Sequence, residues 1–573
     1  MVVRIVVITG YFAVLLGIGW AAKRRALGTS SDYFLASRTL HPLVLFLTMA
    51  ATNFSAFTVF GFSGAGWESG YSFYPVMAFG TGFMALSFVL IGVPVWRLGA
   101  EHGLMTPPEA VARLTGSRIL RILFFLVMTA FTLPYLAMQP MAAGYALESL
   151  LGIPYFGGAA LMTGIILLYT FLGGFRGVTW TDVFQGGMLI SLLLLAVALI
   201  AGRHGGLTSA NHAVADQFPA LFSRPGLHAI YSPGIWFGYM LLWFLCDPMF
   251  PQLFQRFYAA RDARSLGTTM WMYPLLTGGL FLLPVTLGVL GRLTYPHLPA
   301  GTAPDRILPL LLHQHTPPVV EALVLTAALA ALMSTLDSQL LTLSSMFARD
   351  IARPLLPRLA SRVGLGEKRA EALLGKGFVV ILALTGLVLA KNPPATFRVL
   401  ATQTFTGLAV LFPTVAAALY WKRMTAMGAI ASIAVGEGLV AAYSLGWLPT
   451  FGTLAVVPVV GISTLVLVLV SRITRPDARR NAPGLGGCLT RRQKVGWTVL
   501  FALLFFAGHD VWNWGDARLW LLGLPWWVWM FLGLCAITSV LFRSFSRHVL
   551  GSHSRKRQGE PAAGFDPTTG TRW

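Results

Sequence analysis

The feature that most restricts the fold is a series of apolar runs, each about 20 residues long, that recurs along almost the whole chain. A helical run of this length crosses the roughly 30 Å hydrocarbon core of a bilayer. A membrane barrel would instead show alternating polarity over about 10 residues. With 56% hydrophobic and 11% charged residues, the 573-residue chain has too little charged surface for a water-soluble protein. The sequence therefore predicts an all-α polytopic membrane protein embedded in a lipid bilayer.

The apolar runs divide the chain into about 15 predicted spans, listed here with their residue numbers: 2–22, 42–66, 71–96, 119–147, 156–174, 180–201, 232–256, 265–291, 317–348, 377–392, 394–421, 424–446, 452–471, 495–513 and 519–542. With the N-terminus outside, about 34 of the 42 Lys and Arg residues, Arg256 among them, fall in inner loops and the C-terminal tail. This distribution satisfies the positive-inside rule. The net charge of +21 is therefore a topology signal, and no nucleic-acid partner is expected.

Several other function classes lack the sequence features that they need. Cys246, Cys488 and Cys535 are too scattered for a disulfide framework or a thiolate metal site. Metalloprotease and phosphate-binding-loop motifs are absent from the sequence, which argues against an enzyme and against an ATP-driven pump. A membrane sensor built on a transporter fold remains an alternative, although only a short polar segment follows residue 550. A channel would be recognised by its conductance.

The ends of the chain carry two further signals. The basic residues Lys23, Arg24 and Arg25 follow the first apolar run, which indicates a retained helix rather than a cleaved signal peptide. Tryptophans flank the last two spans, where an aromatic belt at the outer interface is expected: Trp512, Trp514, Trp520, Trp526, Trp527 and Trp529. The C-terminal region after residue 543 is predicted to be polar and disordered.

Two spans contain signals that interrupt a helix. The second span places Asn53, Ser55 and Thr58, which compete for backbone hydrogen bonds, ahead of a glycine-rich stretch. The seventh span carries Asp247 beside Pro248 at membrane depth. Each feature alone also fits a packing interface or a kink. Because the two spans lie five apart, they predict two inverted five-helix repeats with broken first helices, as in many secondary transporters.

The ninth span is the most polar helix. Its side chains at spacings of three and four share one face: Ala331, Ser334, Thr335, Asp337 and Ser338. Hydroxyl and carboxylate oxygens are ligands for a small hard cation. The alternative is a Ser/Thr helix interface that bonds to its own carbonyls, but an ionisable residue inside a span favours cation binding.

Four segments resemble the sodium:solute symporter family: DYFLASRTLHP (32–42), LYTFLGGFRGVTWTDVFQGGML (168–189), ALMSTLDSQLLTLSSMFARDI (331–351) and FPTVAAALYWKR (412–423). The resemblance covers about residues 5–470 and implies a leucine-transporter-like fold that takes up a small solute with sodium across the cell membrane. It divides the chain into an extra N-terminal helix (1–30), a first repeat (40–201), an outer loop (202–231) and a second repeat (232–423). The first repeat, the outer loop and the start of the second repeat together span 40–257. Two further helices (424–471), a basic inner loop (472–494), two C-terminal helices (495–543) and a tail (544–573) follow.

The resemblance implies a sodium site between the second and ninth spans. Its ligands would be the carbonyls of Ala51, Phe54 and Ala331 and the hydroxyls of Ser334 and Thr335. A second cation, a proton or an exit path is implied at Asp182, Asp337 and Ser338. Asp182 also fits a helix N-cap after Thr181. Arg38 matches a family arginine at the inner mouth, where it could equally be an anchoring charge.

The solute pocket is predicted on the two breaks and two further helices, at Asn53, Ser55, Thr58, Tyr135, Gln139, Asp247, Gln252, Gln403 and Thr404. Phe57 and Thr58 stand where sugar carriers of the family have an acid/amide pair, which argues against a sugar. Proline carriers have an aspartate where Asn53 stands, which argues against a proline-type site. The favoured solute is a monocarboxylate or a pantothenate-like acid, and a proline-type amino acid is the alternative. No Arg or Lys is expected at midplane depth.

Overall fold

The computed structural model describes residues 1–25, 30–353, 356, 367–393, 395–475, 482–485 and 489–558. These residues form 22 α-helices joined by short turns: α1 (Val2–Arg24), α2 (Ser30–Leu35), α3 (Pro42–Asn53), α4 (Phe62–Ser69), α5 (Phe73–Met84), α6 (Val93–His102), α7 (Pro107–Thr115), α8 (Arg118–Leu151), α9 (Tyr155–Gly202), α10 (Leu207–Gln217), α11 (Pro233–Cys246), α12 (Pro251–Ala259), α13 (Ala263–Thr294), α14 (Ile307–His315), α15 (Pro318–Met346), α16 (Glu367–Ala390), α17 (Phe397–Ala409), α18 (Leu411–Tyr420), α19 (Ala426–Ser444), α20 (Val456–Ile473), α21 (Arg491–Ala507) and α22 (Trp526–Gln558). The all-α prediction is confirmed.

Each of the 15 predicted spans coincides with a helix or with two halves of a broken helix. Within the described residues, 12 stretches are long and apolar enough to cross a membrane by length and composition. The difference between 15 predicted spans and 12 such stretches has three causes. The stretch 57–102 counts as one although it turns at Gly70, where φ is +79°; the first part of α9 is short; and the seventh span is broken.

Both predicted helix breaks are present. Helix α3 ends at Asn53, Phe54 is extended (φ −85°, ψ 96°), and a π-helical turn from Phe57 leads into α4. The second break follows α11, where a single 3-10 turn over Asp247–Met249 and an extended Phe250 precede α12. Proline is well suited to the first turn of a helix, because the missing N–H has no partner there. Pro251 occupies that position in α12.

Helix α13 packs closely against the first broken helix. A Cβ added at Gly288 would come within 2.0 Å of the Ser63 carbonyl oxygen, and one at Gly66 within 2.4 Å of the Val285 carbonyl oxygen. On its other side α13 packs along α22, one of the two C-terminal helices. Helix α13 thus lies between the first broken helix, which the glycines let approach closely, and α22.

The structure corrects three expectations about individual segments. Arg256, assigned to an inner loop, is fully buried in α12. Trp527, assigned to an aromatic belt, is fully buried, and its ring centroid lies 5.4 Å from the Arg224 guanidinium, which pairs with Asp510 at 2.5 Å. Helix α22 continues to Gln558, so residues 544–558 of the predicted disordered tail are helical. Residues 559–573, Cys488 and parts of the basic loop 472–494 lie outside the described residues.

Candidate functional site

The break after α3 faces the polar side of α15. The Thr335 hydroxyl lies 3.1 Å from the Thr52 carbonyl oxygen and 3.5 Å from that of Phe54, at the point where the helix opens. The Ala331 carbonyl oxygen is 3.3 Å from the same hydroxyl. Three of the five predicted sodium ligands, Phe54, Ala331 and Thr335, therefore meet at one point. Their oxygen atoms are of the type that small hard cations prefer.

Ser334, the neighbouring hydroxyl, points elsewhere. It donates to Asp182 Oδ1 at 2.6 Å, and Thr48 donates to the other carboxylate oxygen. Ala51, also a predicted ligand, is buried in the last turn of α3. Asp182 lies within α9, well past the non-helical Gly174, and its partners are side chains of other helices. The helix N-cap interpretation of Asp182 is therefore wrong.

Arg256 completes the surroundings of Asp182. Its Nη2 donates to Asp182 Oδ2 at 3.0 Å and to the Ser338 hydroxyl at 2.9 Å, and both members of the ion pair are fully buried. Its Nε donates to Thr48 at 3.1 Å. The pattern of polar residues on α15 gives no sign of this partner. The only signal is its position at the end of a predicted span, where an ionisable residue is expected to have a partner or a function.

Asp337 lies beside the Asp182–Arg256 ion pair. Its Oδ2 accepts a hydrogen bond from the Tyr169 hydroxyl at 2.6 Å, and its Oδ1 accepts one from Ser338 at 3.3 Å. Both Asp337 and Asp182 are fully buried, whereas Arg256 supplies one positive charge. The cluster of Asp182, Arg256, Asp337 and Ser338, named here the carboxylate cluster, therefore contains more ionisable acid than base.

The two helix breaks enclose a small cavity. Its polar residues are Asn53, Thr58, Thr81, Tyr135 and Asp247, and its remaining walls are Phe57, Phe62, Met77, Trp243, Phe250, Phe281 and Phe405. The Asn53 amide nitrogen lies 3.5 Å from Asp247 Oδ2 and donates to the Tyr273 hydroxyl at 2.8 Å. The cavity measures about 20 Å³, enough for about one water molecule. Admission of a solute requires the aromatic walls to separate.

Five predicted pocket residues do not line this cavity. Ser55 Oγ accepts from the Phe57 N–H at 3.2 Å, and Gln139 Oε1 accepts from the Ala56 N–H at 3.0 Å, so both hold the broken backbone. Gln252 is buried outside the cavity.

The other two predicted pocket residues that do not line the cavity lie on α17. Gln403 is exposed, and Thr404 is buried away from the cavity. Phe405 lines the cavity in their place, with its ring 4.9 Å from that of Tyr135 and 5.4 Å from that of Trp243. The sequence prediction missed Phe405 and Trp243 because it favoured polar positions.

Ion pairs and hydrogen bonds join the segments on the predicted inner side. Arg349 pairs with Glu109 at 2.8 Å, and Arg121 pairs with Asp350 at 2.6 Å. Arg38 Nη2 donates to the Leu104 carbonyl at 2.7 Å, and burial lowers the pKa of this guanidinium. Arg38 thus bonds to the chain near the Arg349–Glu109 ion pair.

The turn before α14 packs against α4 and α17 on the predicted outer side. Asp305 accepts a hydrogen bond from the Phe397 N–H at 3.0 Å, and its backbone packs against α4, where a Cβ on Gly64 would come within 2.9 Å. Arg398 pairs with Glu68 at 3.3 Å across the same junction. Burial raises the pKa of Asp305 to about 7, partly offset by the Phe397 N–H.

The family model of the sodium:solute symporters matches residues 33–436. This match covers both helix breaks, the carboxylate cluster and the cavity. The chain belongs to the sodium:solute symporter family. It is a multi-pass membrane protein that carries a small organic solute together with sodium.

Relatives of this symporter include two proline carriers. The osmoregulated proline transporter OpuE of Bacillus subtilis (strain 168) is 30% identical over 499 residues, which span 84% of the symporter and 96% of OpuE. The sodium/proline symporter of Staphylococcus aureus (strain JH9) is 28% identical over 506 residues, spanning 82% and 92% of the two chains. The match with OpuE extends over nearly the full length of that relative.

Two solved structures share the fold of the symporter. A substrate-bound, outward-open sodium-coupled sialic acid symporter superposes with a TM-score of 0.69 at 20% identity, over 83% of this chain and 98% of that one. A nucleobase-cation-symport-1 family transporter in a closed conformation gives a TM-score of 0.52 at 11% identity, over 79% and 98%. These likenesses confirm the leucine-transporter-like fold that the family resemblance implied.

Proposed function

We propose that the solute is a small amino acid of the proline type, bound between the two helix breaks with its amine against Asp247. The observation that carries this proposal is the charge of the cavity. Asp247 is its one acidic residue and no basic residue lines it. Within the described residues, Asp247 has two long hydrogen bonds, from Asn53 at 3.5 Å and from the Cys246 thiol at 3.4 Å, and forms no ion pair. A buried carboxylate is stabilised by a positively charged partner, which the amine of an amino acid would supply.

The apolar walls of the cavity suit the aliphatic part of a proline-type amino acid. The rings of Phe57, Trp243 and Phe405 lie 5.4 to 6.5 Å from one another and form an apolar cage. Such a cage suits an aliphatic ring, and aromatic faces also attract a cationic nitrogen. The proline carriers among the relatives are consistent with this choice.

The monocarboxylate or pantothenate-like solute favoured by the sequence is less well supported. An acid without an amine would bring a second negative charge towards Asp247, and like charges at close range repel. The objection to a proline-type site was the asparagine at position 53. The structure places Asp247 3.5 Å from Asn53, so the second broken helix brings a carboxylate to the same part of the cavity.

For sodium, we propose the site between α3 and α15. Phe54, Ala331 and Thr335 would bind the ion directly, with Ala51 and Ser334 completing the set predicted from the sequence. Binding there would hold the broken helix against α15 and so fix one wall of the solute cavity, which is how ion binding would favour solute binding. A membrane potential that is negative inside adds about 2.3 kcal/mol to the driving force for each entering positive charge, for every 100 mV.

The carboxylate cluster is proposed to take a second positive charge. Arg256 is paired with Asp182, which leaves Asp337 with a tyrosine and a serine as hydrogen-bond partners. A second sodium ion or a proton at Asp337 would balance its charge. We also propose a cell-membrane location with the N-terminus outside and the C-terminus in the cytoplasm, which the distribution of basic residues supports.

The test is uptake into proteoliposomes of labelled proline, pyruvate, acetate and pantothenate, with and without an inward sodium gradient. We expect sodium-driven accumulation of proline. The Asp247→Asn variant should lose at least about 10-fold in apparent proline affinity, because one charged contact contributes about 1.5–3 kcal/mol. Asp216→Asn removes an exposed acid on α10 and is the matched control. Accumulation of pyruvate or acetate instead of proline would overturn the solute proposal while leaving sodium coupling intact.

A further inference from the structure

A basic cavity lies outside the transport pathway, between the first turns of α13 and the last turns of α22. It measures about 390 Å³ and is lined by Arg264, Thr268, Trp271, Arg543, Ser546 and Arg547, together with a leucine and a glycine. Its floor is closed because the helices nearly touch: a Cβ on Gly267 would come within 2.2 Å of Ser546 Oγ. The lining therefore combines three arginines, two hydroxyls and an indole.

The positive charge of this cavity is uncompensated within the described residues. None of its lining residues is acidic, and Arg264, Arg543 and Arg547 form no ion pair there. Other arginines on the predicted inner side, Arg121 and Arg349, each pair with a buried carboxylate. The guanidinium of Arg543 instead lies 5.1 Å from the Trp271 ring centroid, which keeps one face of it in place. Such an arrangement is ready to bind an anion.

The position of the cavity selects the kind of anion. The proposed topology puts the start of α13 and the end of α22 at the cytoplasmic face, where the apolar parts of both helices begin. Trp271 is partly exposed there, as expected for an indole at the lipid interface. Arginines at this depth face the phosphates of anionic lipids, and basic pockets between membrane helices are known to bind lipid headgroups.

We propose that this cavity binds the headgroup of an anionic phospholipid from the cytoplasmic leaflet. The three guanidinium groups would hold its phosphate, the hydroxyls of Thr268 and Ser546 would donate to the headgroup, and the acyl chains would extend along the apolar faces of α13 and α22. Helix α22 lies beyond the segment matched by the family model, which ends at residue 436. The site therefore combines residues of α13, inside the matched segment, with residues of α22, beyond it.

Lipid bound here can influence the solute cavity through α13. Tyr273, two residues after Trp271 on α13, accepts a hydrogen bond from Asn53 at 2.8 Å. A headgroup that holds α13 against α22 would thus restrict a helix that also touches the first helix break. This link explains why the lipid should affect uptake as well as stability.

The experiment titrates dioleoyl-phosphatidylglycerol into the full-length, detergent-solubilised protein, with dioleoyl-phosphatidylcholine and inorganic phosphate as parallel titrants. The readouts are the thermal unfolding midpoint and the number of retained lipids in native mass spectrometry. The triple variant Arg264→Gln, Arg543→Gln and Arg547→Gln removes the cavity charge. The matched control removes three exposed positive charges elsewhere on the predicted inner side: Arg113→Gln, Arg118→Gln and Arg492→Gln.

We expect phosphatidylglycerol, but not phosphatidylcholine, to raise the midpoint and to remain bound as one lipid per protein. The triple variant should need at least about 20-fold more of it for the half-maximal shift, because each charge at the membrane surface contributes about fivefold. The control variant should respond within about threefold of the parent. Equal responses of the two triple variants would overturn the proposal, as would equal effects of the two lipids.

Two further outcomes have defined meanings. If inorganic phosphate alone reproduces the shift, the cavity binds a free anion and the lipid assignment is wrong. If the triple variant unfolds in detergent without added lipid at a much lower temperature than the parent, the single variant Arg547→Gln replaces it. A several-fold weaker response to phosphatidylglycerol in that variant supports the proposal, and an unchanged response overturns it.

Discussion

Removal of the Thr335 hydroxyl tests the proposed sodium site at its centre. This hydroxyl lies within 3.5 Å of the carbonyl oxygens of Thr52, Phe54 and Ala331, the arrangement expected of a ligand facing a broken helix. A contact with a charged group contributes about 1.5–3 kcal/mol. Thr335→Ala should therefore raise the sodium concentration for half-maximal uptake by about 10- to 150-fold. Uptake at saturating sodium should fall much less, because Thr335 does not line the solute cavity.

The assay is initial-rate uptake of the transported solute into proteoliposomes over a range of external sodium, with the membrane potential clamped. Thr335→Ser keeps the hydroxyl and should stay within about threefold of the parent, since the ligand oxygen remains. Thr326→Ala is the matched control. That residue lies on the same helix and is buried, and its hydroxyl has no hydrogen-bond partner among the described residues.

Three results are distinguishable. A large rise in the sodium requirement of Thr335→Ala alone agrees with the proposed site. An equal rise in Thr326→Ala would show that the loss of any buried hydroxyl from α15 weakens sodium coupling, so the effect would not locate the ion. An unchanged sodium requirement in a Thr335→Ala protein that still transports would refute the assignment of this hydroxyl as a ligand.

Three further predictions concern the buried charges and the helix packing. Arg256→Gln leaves Asp182 buried without its partner and should cost about 3–5 kcal/mol of stability; adding Asp182→Asn should restore part of the unfolding temperature in detergent. Because the pKa of Asp305 is raised to about 7, its stabilising effect is complete below about pH 4 and is lost as pH rises through 7. Thermal midpoints should therefore fall across that window in the parent and less in Asp305→Asn. Gly288→Ala places a methyl group against the α4 backbone and should cost about 1–3 kcal/mol, whereas Gly279→Ala, which has open space, should be neutral by the same measurement.

The hydrophobic pattern determined most of the architecture. Apolar runs of about 20 residues have one low-energy conformation in lipid, and each predicted span coincides with helix in the structure. The two helix breaks are also predictable from the sequence, because prolines and short polar side chains weaken helical hydrogen bonds wherever they occur. The same holds for the polar face of α15, which follows from helical spacing alone.

The sequence was less informative about which side chains meet. Arg256 looked like a loop charge because hydropathy places it at the end of a span. Only the packing of α12 against α3 and α15 brings it to Asp182 on α9. Such a contact joins residues 74 positions apart in the chain. Spacing within one helix carries no information about it.

The wall of the solute cavity shows the same limit. Gln403 and Phe405 are two residues apart on α17 and so lie on nearly opposite faces of the helix. Polarity favoured the glutamine, but the neighbouring rings of Tyr135 and Trp243 turn the aromatic face inward. Local sequence thus determined the helices, their breaks and the hydroxyl face. The tertiary packing decided which faces meet, because burial energy depends on neighbours that are distant in the chain.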